Sequence, residues 1–357
     1  MIIPAFLLIL HCKGNSSEQR QETKIYGVKI YDYEGNLSDL FHELKTLGIN
    51  TIFASASLSS NEEFRTLAKQ NHISLFVIVP IFFNPKALEA DSTLYAMTNE
   101  GEKAIDDWVK FVCPSREAYW KNRINYIKNL IEEVNPDGLS IDFIRHFVFW
   151  EMVYPDRDPD SITSTCFCPY CLKKFERSTG IQIPNTLKST SEMSSWIKTN
   201  YLDEWTDWKC QLITDMVRNI TQEAKKVKSD LRFNIHVVPW RKRDFKNAIQ
   251  NVVGQKISDL SKYTNLISPM TYAHMVKQTP NWVHSVVQDM DRQANCKVVP
   301  SIQVEKAYLD DTLSVSEFRK TLSNALKPPS EGVIFWSWKA LSSNPEKKQI
   351  VQEYLTD

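Results

Sequence analysis

Eight short runs rich in β-branched and aromatic residues recur along the chain, and segments of helical periodicity lie between them. The runs are KIYGVKIY (24–31), NTIFASA (50–56), ISLFVIVPIF (73–82), DGLSID (137–142), RFNIHVV (232–238), NLISPMTY (265–272), KVVPSIQV (297–304) and GVIFWSW (332–338). Runs of this length read as strands, and a helix between successive strands returns the chain to the same end, which makes neighbouring strands parallel. Eight such units in 357 residues predict a (β/α)8 TIM barrel, with a doubly wound parallel sheet as the other arrangement the pattern allows. The segment 116–134 shows the helical period. Tyr119, Ile124, Ile127, Leu130 and Ile131 recur at roughly helical spacing, Ser115 is placed to cap the start, and Asn135-Pro136 stops the helix. A longer tract, 198–228, carries Trp205, Trp208, Leu212, Met216 and Ile220 and reads as one helix packed on the barrel.

No break in composition suggests a second domain, so residues 25–357 read as a single barrel with one long loop at about 143–190. Long ordered loops in compact domains usually serve function. Residues 1–24 differ. MIIPAFLLILHC is a short apolar run ending at Cys12, followed by the polar KGNSSEQRQETK. That pattern reads as a secretory signal with Cys12 as a lipidated residue, which predicts an exported protein, anchored to the membrane only through the lipid. A frayed apolar tail or a misassigned start is the alternative. No stretch of about 18 apolar residues is present to span a bilayer. The 43 basic and 43 acidic residues cancel, which argues against nucleic acid as the partner. The oligomeric state leaves no trace in the sequence.

In a barrel of this kind, chemistry gathers at the C-terminal ends of the strands. The fourth run ends there in charge, with Asp142 and then Arg145. Alternation places Gly138, Ser140 and Asp142 on one face. Other strand ends supply Asp32, Asn234, His236, Trp240, Tyr272, Gln303, Glu305 and Trp336. Each has a bland reading as core filler or cap, but together they make a rim of carboxylates and flat aromatics. Sugars suit such a rim: their C–H faces stack on Trp and Tyr, and their hydroxyls bond to polar side chains. Glycoside cleavage needs two carboxyl groups. Asp142 and Glu305 are the expected pair, with Asp32 and Glu151 as substitutes for the second, and such chemistry needs no catalytic cofactor. A non-catalytic carbohydrate-binding barrel is the competing reading. A phosphate-using barrel is disfavoured, because the chain has only nine glycines and no Gly-rich loop after the seventh or eighth run. RKRDFK (241–246) reads either as a solvated basic loop or as a contact for an acidic sugar.

PDGLSIDFIRH resembles the fourth-strand signature of bacterial hypothetical glycoside-hydrolase-like barrels, and SPMTYAH and GVIFWSW are similar to their sixth and eighth strands. The resemblance implies a catalytic role for Asp142 and a substrate- or carboxylate-orienting role for Arg145. Against the family-18 chitinase pattern, the position of the acid is Ile144, so that route to catalysis is excluded.

CFCPYC (166–171) sets Cys166, Cys168 and Cys171 close enough to face one metal, and Cys113 after the third run is a candidate fourth ligand for tetrahedral zinc. Disulfides or free thiols are the alternatives. The layout resembles the four-cysteine zinc site of family-42 β-galactosidases, and that resemblance implies a structural zinc. The acid those enzymes carry after strand four is absent here.

Overall fold

The computed structural model describes residues 24–356. The apolar run and Cys12 lie outside the described residues. Nine parallel strands form one sheet: β1 (Ile25–Ile30), β2 (Thr51–Ser55), β3 (Ser74–Pro80), β4 (Gly138–Asp142), β5 (Arg232–Val237), β6 (Leu266–Pro269), β7 (Lys297–Val298), β8 (Ser301–Gln303) and β9 (Gly332–Trp336). Their order is β8-β9-β1-β2-β3-β4-β5-β6-β7, a TIM-barrel-like α/β arrangement. Its two end strands are neighbours in sequence. The single run expected at 297–304 is split by Val299-Pro300, because proline has no N–H to give to a ladder. Hydrogen bonding continues on both sides of the break. Val299 N–H donates to the Ile267 carbonyl on one side (2.9 Å), and Ile334 N–H donates to the Pro300 carbonyl on the other (2.9 Å). Met270 also bridges to Ser301 in parallel register.

Helices surround the sheet, and most bury an apolar stripe. They are α1 (Leu37–Thr46), α2 (Glu62–Gln70), α3 (Glu117–Val134), α4 (Pro169–Thr179), α5 (Thr190–Asn200), α6 (Leu202–Val227), α7 (Pro280–Asp291), α8 (Val315–Ala325) and α9 (Pro345–Leu355). In α1, Asn36 caps the start by accepting from Asp39 N–H, and Leu40, Phe41 and Leu44 are buried. The long tract divides into α5 and α6, and α6 buries Trp205, Trp208, Leu212, Met216 and Ile220 as its period requires. Helix α3 ends where expected, with Asn135 in the left-handed region at φ 48°. Its start differs. Arg116 is the N-cap and no side chain caps the helix, because the Ser115 hydroxyl instead takes the Cys171 thiol. The segment at 143–190 is not bare loop; it contains α4 and two short turns, at 150–152 and 159–161.

The inside of the sheet is built in layers. The lowest is apolar and includes Ile25, Phe53, Phe76, Leu266 and Ile334. Phe76 fits only because Gly138 faces it; a Cβ there would lie 2.3 Å from the Phe76 ring. Above sits a fully buried polar chain. Asn234 donates to Ser140 Oγ (2.9 Å), Ser268 Oγ donates to Asn234 Oδ1 (2.6 Å), and Ser140 Oγ pairs with His236 Nε2 (3.0 Å). These bonds offset most of the cost of burying the layer, although His236 Nδ1 has no hydrogen-bond partner among the described residues.

Gly332 is the tightest point of the sheet. Its φ is +139°, and a Cβ would sit 1.9 Å from the Ile25 carbonyl oxygen, which is backbone and cannot rotate away. Gly332→Ala is therefore expected to cost about 2–3 kcal/mol in urea unfolding, with the slope unchanged. Gly180→Ala, where a Cβ meets nothing within 4 Å, is the comparison. Equal costs at the two positions would contradict this packing.

Candidate active site

Two cavities lie on the sheet axis. One of about 610 Å³ opens among the N-terminal ends of the strands, near Thr51, Ser74 and Arg232. The other, about 480 Å³, lies at the C-terminal ends, where Lys29 of β1, Asp142 of β4 and Trp336 of β9 all line it. Parallel barrels place their chemistry at the latter end. Only that cavity also gathers buried charge and stacked aromatics, so it is the candidate site despite its smaller volume.

Strand β4 ends at Asp142, which is buried, and its Oδ1 accepts from Phe143 N–H at 2.7 Å. Phe143 takes φ 51°, and this turn redirects the chain so that Arg145 also faces the cavity. The Arg145 guanidinium is almost wholly buried, lies 4.7 Å from the centre of the Phe111 ring, and donates to the carbonyls of Val148 (2.8 Å) and His146 (3.2 Å). The chain then makes the turn at 150–152, which brings Trp150 and Glu151 to the same cavity. Glu151 is buried, and its Oε2 has no hydrogen-bond partner among the described residues. Burial pushes its carboxyl up to about 7; the Arg145 cation opposes that rise and the Asp142 charge adds to it. A carboxyl in this state keeps its proton in about half of the molecules at neutrality, and it has an oxygen free for a ligand.

From β1 comes Lys29, which is 1% exposed and donates to Tyr272 Oη at 3.1 Å. Burial pulls its amine down to about 8, while the Asp142 charge holds it up. The Tyr272 ring stacks on Trp336 with centroids 4.5 Å apart, and Trp150 lies 6.0 Å from Tyr272 on another side. At the rim, Trp108 Nε1 donates to Tyr308 Oη at 2.8 Å, joining the loop after β3 to the loop after β8. The result is a largely apolar, aromatic cavity with a few polar groups at its floor, as small-molecule sites usually are.

Of the residues expected from the sequence, Asp142, Arg145, Tyr272 and Trp336 line this cavity. Asn234 and His236 lie beneath it in the buried polar chain. Gln303 is also buried but acts as a fastener: its Oε1 accepts from Met275 N–H (2.9 Å) and its Nε2 donates to the Glu305 carbonyl (2.9 Å). Past that point the chain faces solvent, so Glu305 is exposed and does not line the cavity. Asp32 is likewise exposed and off the lining. Trp240 is buried against Phe245 in an adjoining cavity. Lys29 and Trp150 were not foreseen. A lysine inside the apolar KIYGVKIY, in step with Gly27 and Tyr31, was the available signal for the first. The Trp108–Tyr308 pair joins residues 200 positions apart, and no local pattern reveals it.

Beside the site, Cys113, Cys166, Cys168 and Cys171 are all buried, and their sulfurs lie within 4.8 Å of one another. None is in a disulfide. Cys113 Sγ is 3.3 Å from Cys171 Sγ and 3.7 Å from Cys168 Sγ. Four thiols converging in this way are a set that could hold a metal. The cluster ties the segment after β3 to the start of α4 and so anchors the long loop that carries Glu151.

No protein-family model and no curated protein matches this sequence. Solved structures do match. The glycoside hydrolase domain of PgaB (BpsB) from Bordetella bronchiseptica superposes with a TM-score of 0.70 at 10% identity, covering 92% of this chain and 98% of that one. The β-galactosidase of the psychrophilic Marinomonas ef1 gives 0.62 at 9% identity, covering 93% and 59%. The α-L-fucosidase isoenzyme 2 of Paenibacillus thiaminolyticus gives 0.57 at 9%, covering 94% and 49%. At this identity the likeness establishes a glycoside-hydrolase-like fold. The chain spans nearly all of the first and about half to three-fifths of the other two.

The balance around Lys29 is directly measurable. Its amine should titrate near 8, well below exposed lysines, when followed by NMR of 13C-methylated lysines. Asp142→Asn should move it lower still, because the carboxylate charge favours the ammonium. An upward shift, or none, would show that the two groups do not sense each other.

Proposed function

We propose that the protein is a glycoside hydrolase acting on a poly- or oligosaccharide, with Asp142 and Glu151 as its pair of carboxyl groups. The observation that carries this reading is that two buried carboxyl groups line one aromatic cavity at the C-terminal end of the sheet. Glu151 takes the role first expected of Glu305. We also read β7 and β8 as one proline-interrupted strand, which completes an eight-stranded barrel around this cavity.

The chemistry follows from the environments. Glu151, which keeps its proton in about half of the molecules at neutrality, gives it to the glycosidic oxygen as the bond to the anomeric carbon breaks. Asp142 faces the positive charge that develops on the sugar; it either attacks the anomeric carbon, giving a glycosyl-enzyme that water then hydrolyses with Glu151 as the base, or takes the proton of a directly attacking water. Lys29 and Arg145 offset the buried Asp142 charge. Once Glu151 has lost its proton, Arg145 stabilises the carboxylate that forms. The stacked Tyr272 and Trp336 rings offer an apolar face for a sugar ring.

A glycan panel scored by mass spectrometry for released sugars tests this reading. Wild type should release product, and both Asp142→Asn and Glu151→Gln should lose about 10²–10⁴ in rate. Binding without release from any glycan would favour a non-catalytic carbohydrate-binding barrel. The pH profile is a sharper test. Because Glu151 must be protonated to act, kcat/KM should fall as pH rises through about 7. Arg145→Met removes the cation that holds this carboxyl down, so the falling limb should move to higher pH.

For the cysteine cluster we propose a structural zinc. Four sulfurs at the usual ~2.3 Å from zinc stand roughly 3.8 Å apart in a tetrahedron, and the separations of 3.3 and 3.7 Å are near that value. Bound there, the metal would hold the four thiolates together and fix the long loop; it takes no part in sugar chemistry. Elemental analysis of the purified protein should find one zinc per chain, and Cys168→Ser should lose it and lower the thermal midpoint. Cysteines recovered as disulfides, with no metal, would exclude the site.

A further inference from the structure

A third cavity, of about 360 Å³, shares a wall with the candidate site. Trp150 lines both, and its buried Nε1 has no hydrogen-bond partner among the described residues. This side cavity lies between the long loop after β4 and the loop after β5, and Lys246 of the latter is clipped to Asp160 of the former at 2.8 Å. Two indoles, Trp240 and Trp282, form its apolar part, and Arg157 and Arg243 add charge.

The charges in this cavity are unevenly committed. Arg241 also lines it, but its Nε donates to both oxygens of Asp244 (2.9 and 3.2 Å) and its Nη1 to Ser285 Oγ (2.9 Å). That pair is neutral and serves as a wall. Nearby Asp160 is held by Lys246, and Asp289 accepts from Lys242 N–H and Gln293. Arg157 and Arg243 have no ion-pair partner among the described residues. Arg157 donates to the Ser161 carbonyl at 3.3 Å, and Arg243 donates to Ser285 Oγ at 3.4 Å. Two exposed guanidinium groups with donors to spare thus stand beside buried indole rings, one tryptophan away from the main cavity.

We propose that this side cavity is a subsite for an anionic sugar residue, a uronate or a sulfated ring, of the same glycan whose neighbouring unit occupies the main cavity. Guanidinium forks match the planar oxygens of a carboxylate or the face of a sulfate, and the indoles take the C–H face of the ring. A neutral sugar would make no use of either charge. The location rests on the glycoside hydrolase reading, but the binding does not depend on turnover.

Matched oligosaccharides provide the test: uronates beside their methyl esters, and sulfated galactans beside their desulfated forms, titrated calorimetrically into the full chain. At least one acidic member should bind about tenfold or more tightly than its neutralised partner, and which pair responds separates carboxylate from sulfate. In the Arg157→Ala/Arg243→Ala double variant, whose positions are exposed, that preference should shrink to within about twofold while the neutral partner binds as before. Salt at about 0.5 M should erode it in wild type. Acidic and neutralised forms that bind alike, or a preference that survives in the double variant, would overturn the subsite. A charge preference without release of any sugar would support the subsite and count against the hydrolase.

Discussion

Four ionisable side chains share the dry end of this sheet: Lys29, Asp142, Arg145 and Glu151, two of each sign, all buried. Taking any one of them out of water alone would cost several kcal/mol. Together they offset one another, and the offset is incomplete in an informative way. Lys29 is drawn down and Glu151 is pushed up, so each sits closer to neutrality than it would in water. A site in this condition can exchange a proton at modest energetic cost. The polar chain beneath it, the aromatic walls and the turn that carries Glu151 all serve to keep water and mobile counter-ions from relaxing that balance.

Holding Glu151 in place is a problem of chain length as well as charge. The carboxyl lies well beyond the end of β4, on a segment that would wander without an anchor. Besides the Lys246–Asp160 clip, contacts at both of its ends restrain it. Arg145 turns back to grip the carbonyls of His146 and Val148, and the four-cysteine cluster ties the far side of the segment to the stretch after β3. The same segment separates the two cavities, so one restrained piece of chain shapes both.

Much of the fold was legible in the sequence because parallel strands and amphipathic helices announce themselves through local period. All eight runs contain strand, and the helix at 116–134 was placed to within a residue. The exceptions have physical causes. Pro300 splits one run in two, and Ser115 is diverted from capping by a thiol that lies 56 positions away in sequence. The site was legible only in part. Residues on strands fall where alternation puts them, which is why Asp142 and Trp336 reach the cavity lining and Asn234 and His236 reach the layer below. Residues on loops obey no period. Glu305 follows a strand yet faces solvent once Gln303 has fastened the chain, while Glu151 reaches the cavity through a turn that no spacing rule anticipates.

The proposed chemistry depends on burial keeping a proton on Glu151, in about half of the molecules, at neutral pH inside the cavity. A 13C NMR titration of carboxyl-labelled glutamate, with the Glu151 resonance assigned by its loss in Glu151→Gln, tests it without any substrate. The account predicts a midpoint near 7. A midpoint near the ordinary 4.5 would mean that the carboxyl is solvated and charged, and would leave the proposed chemistry without its acid.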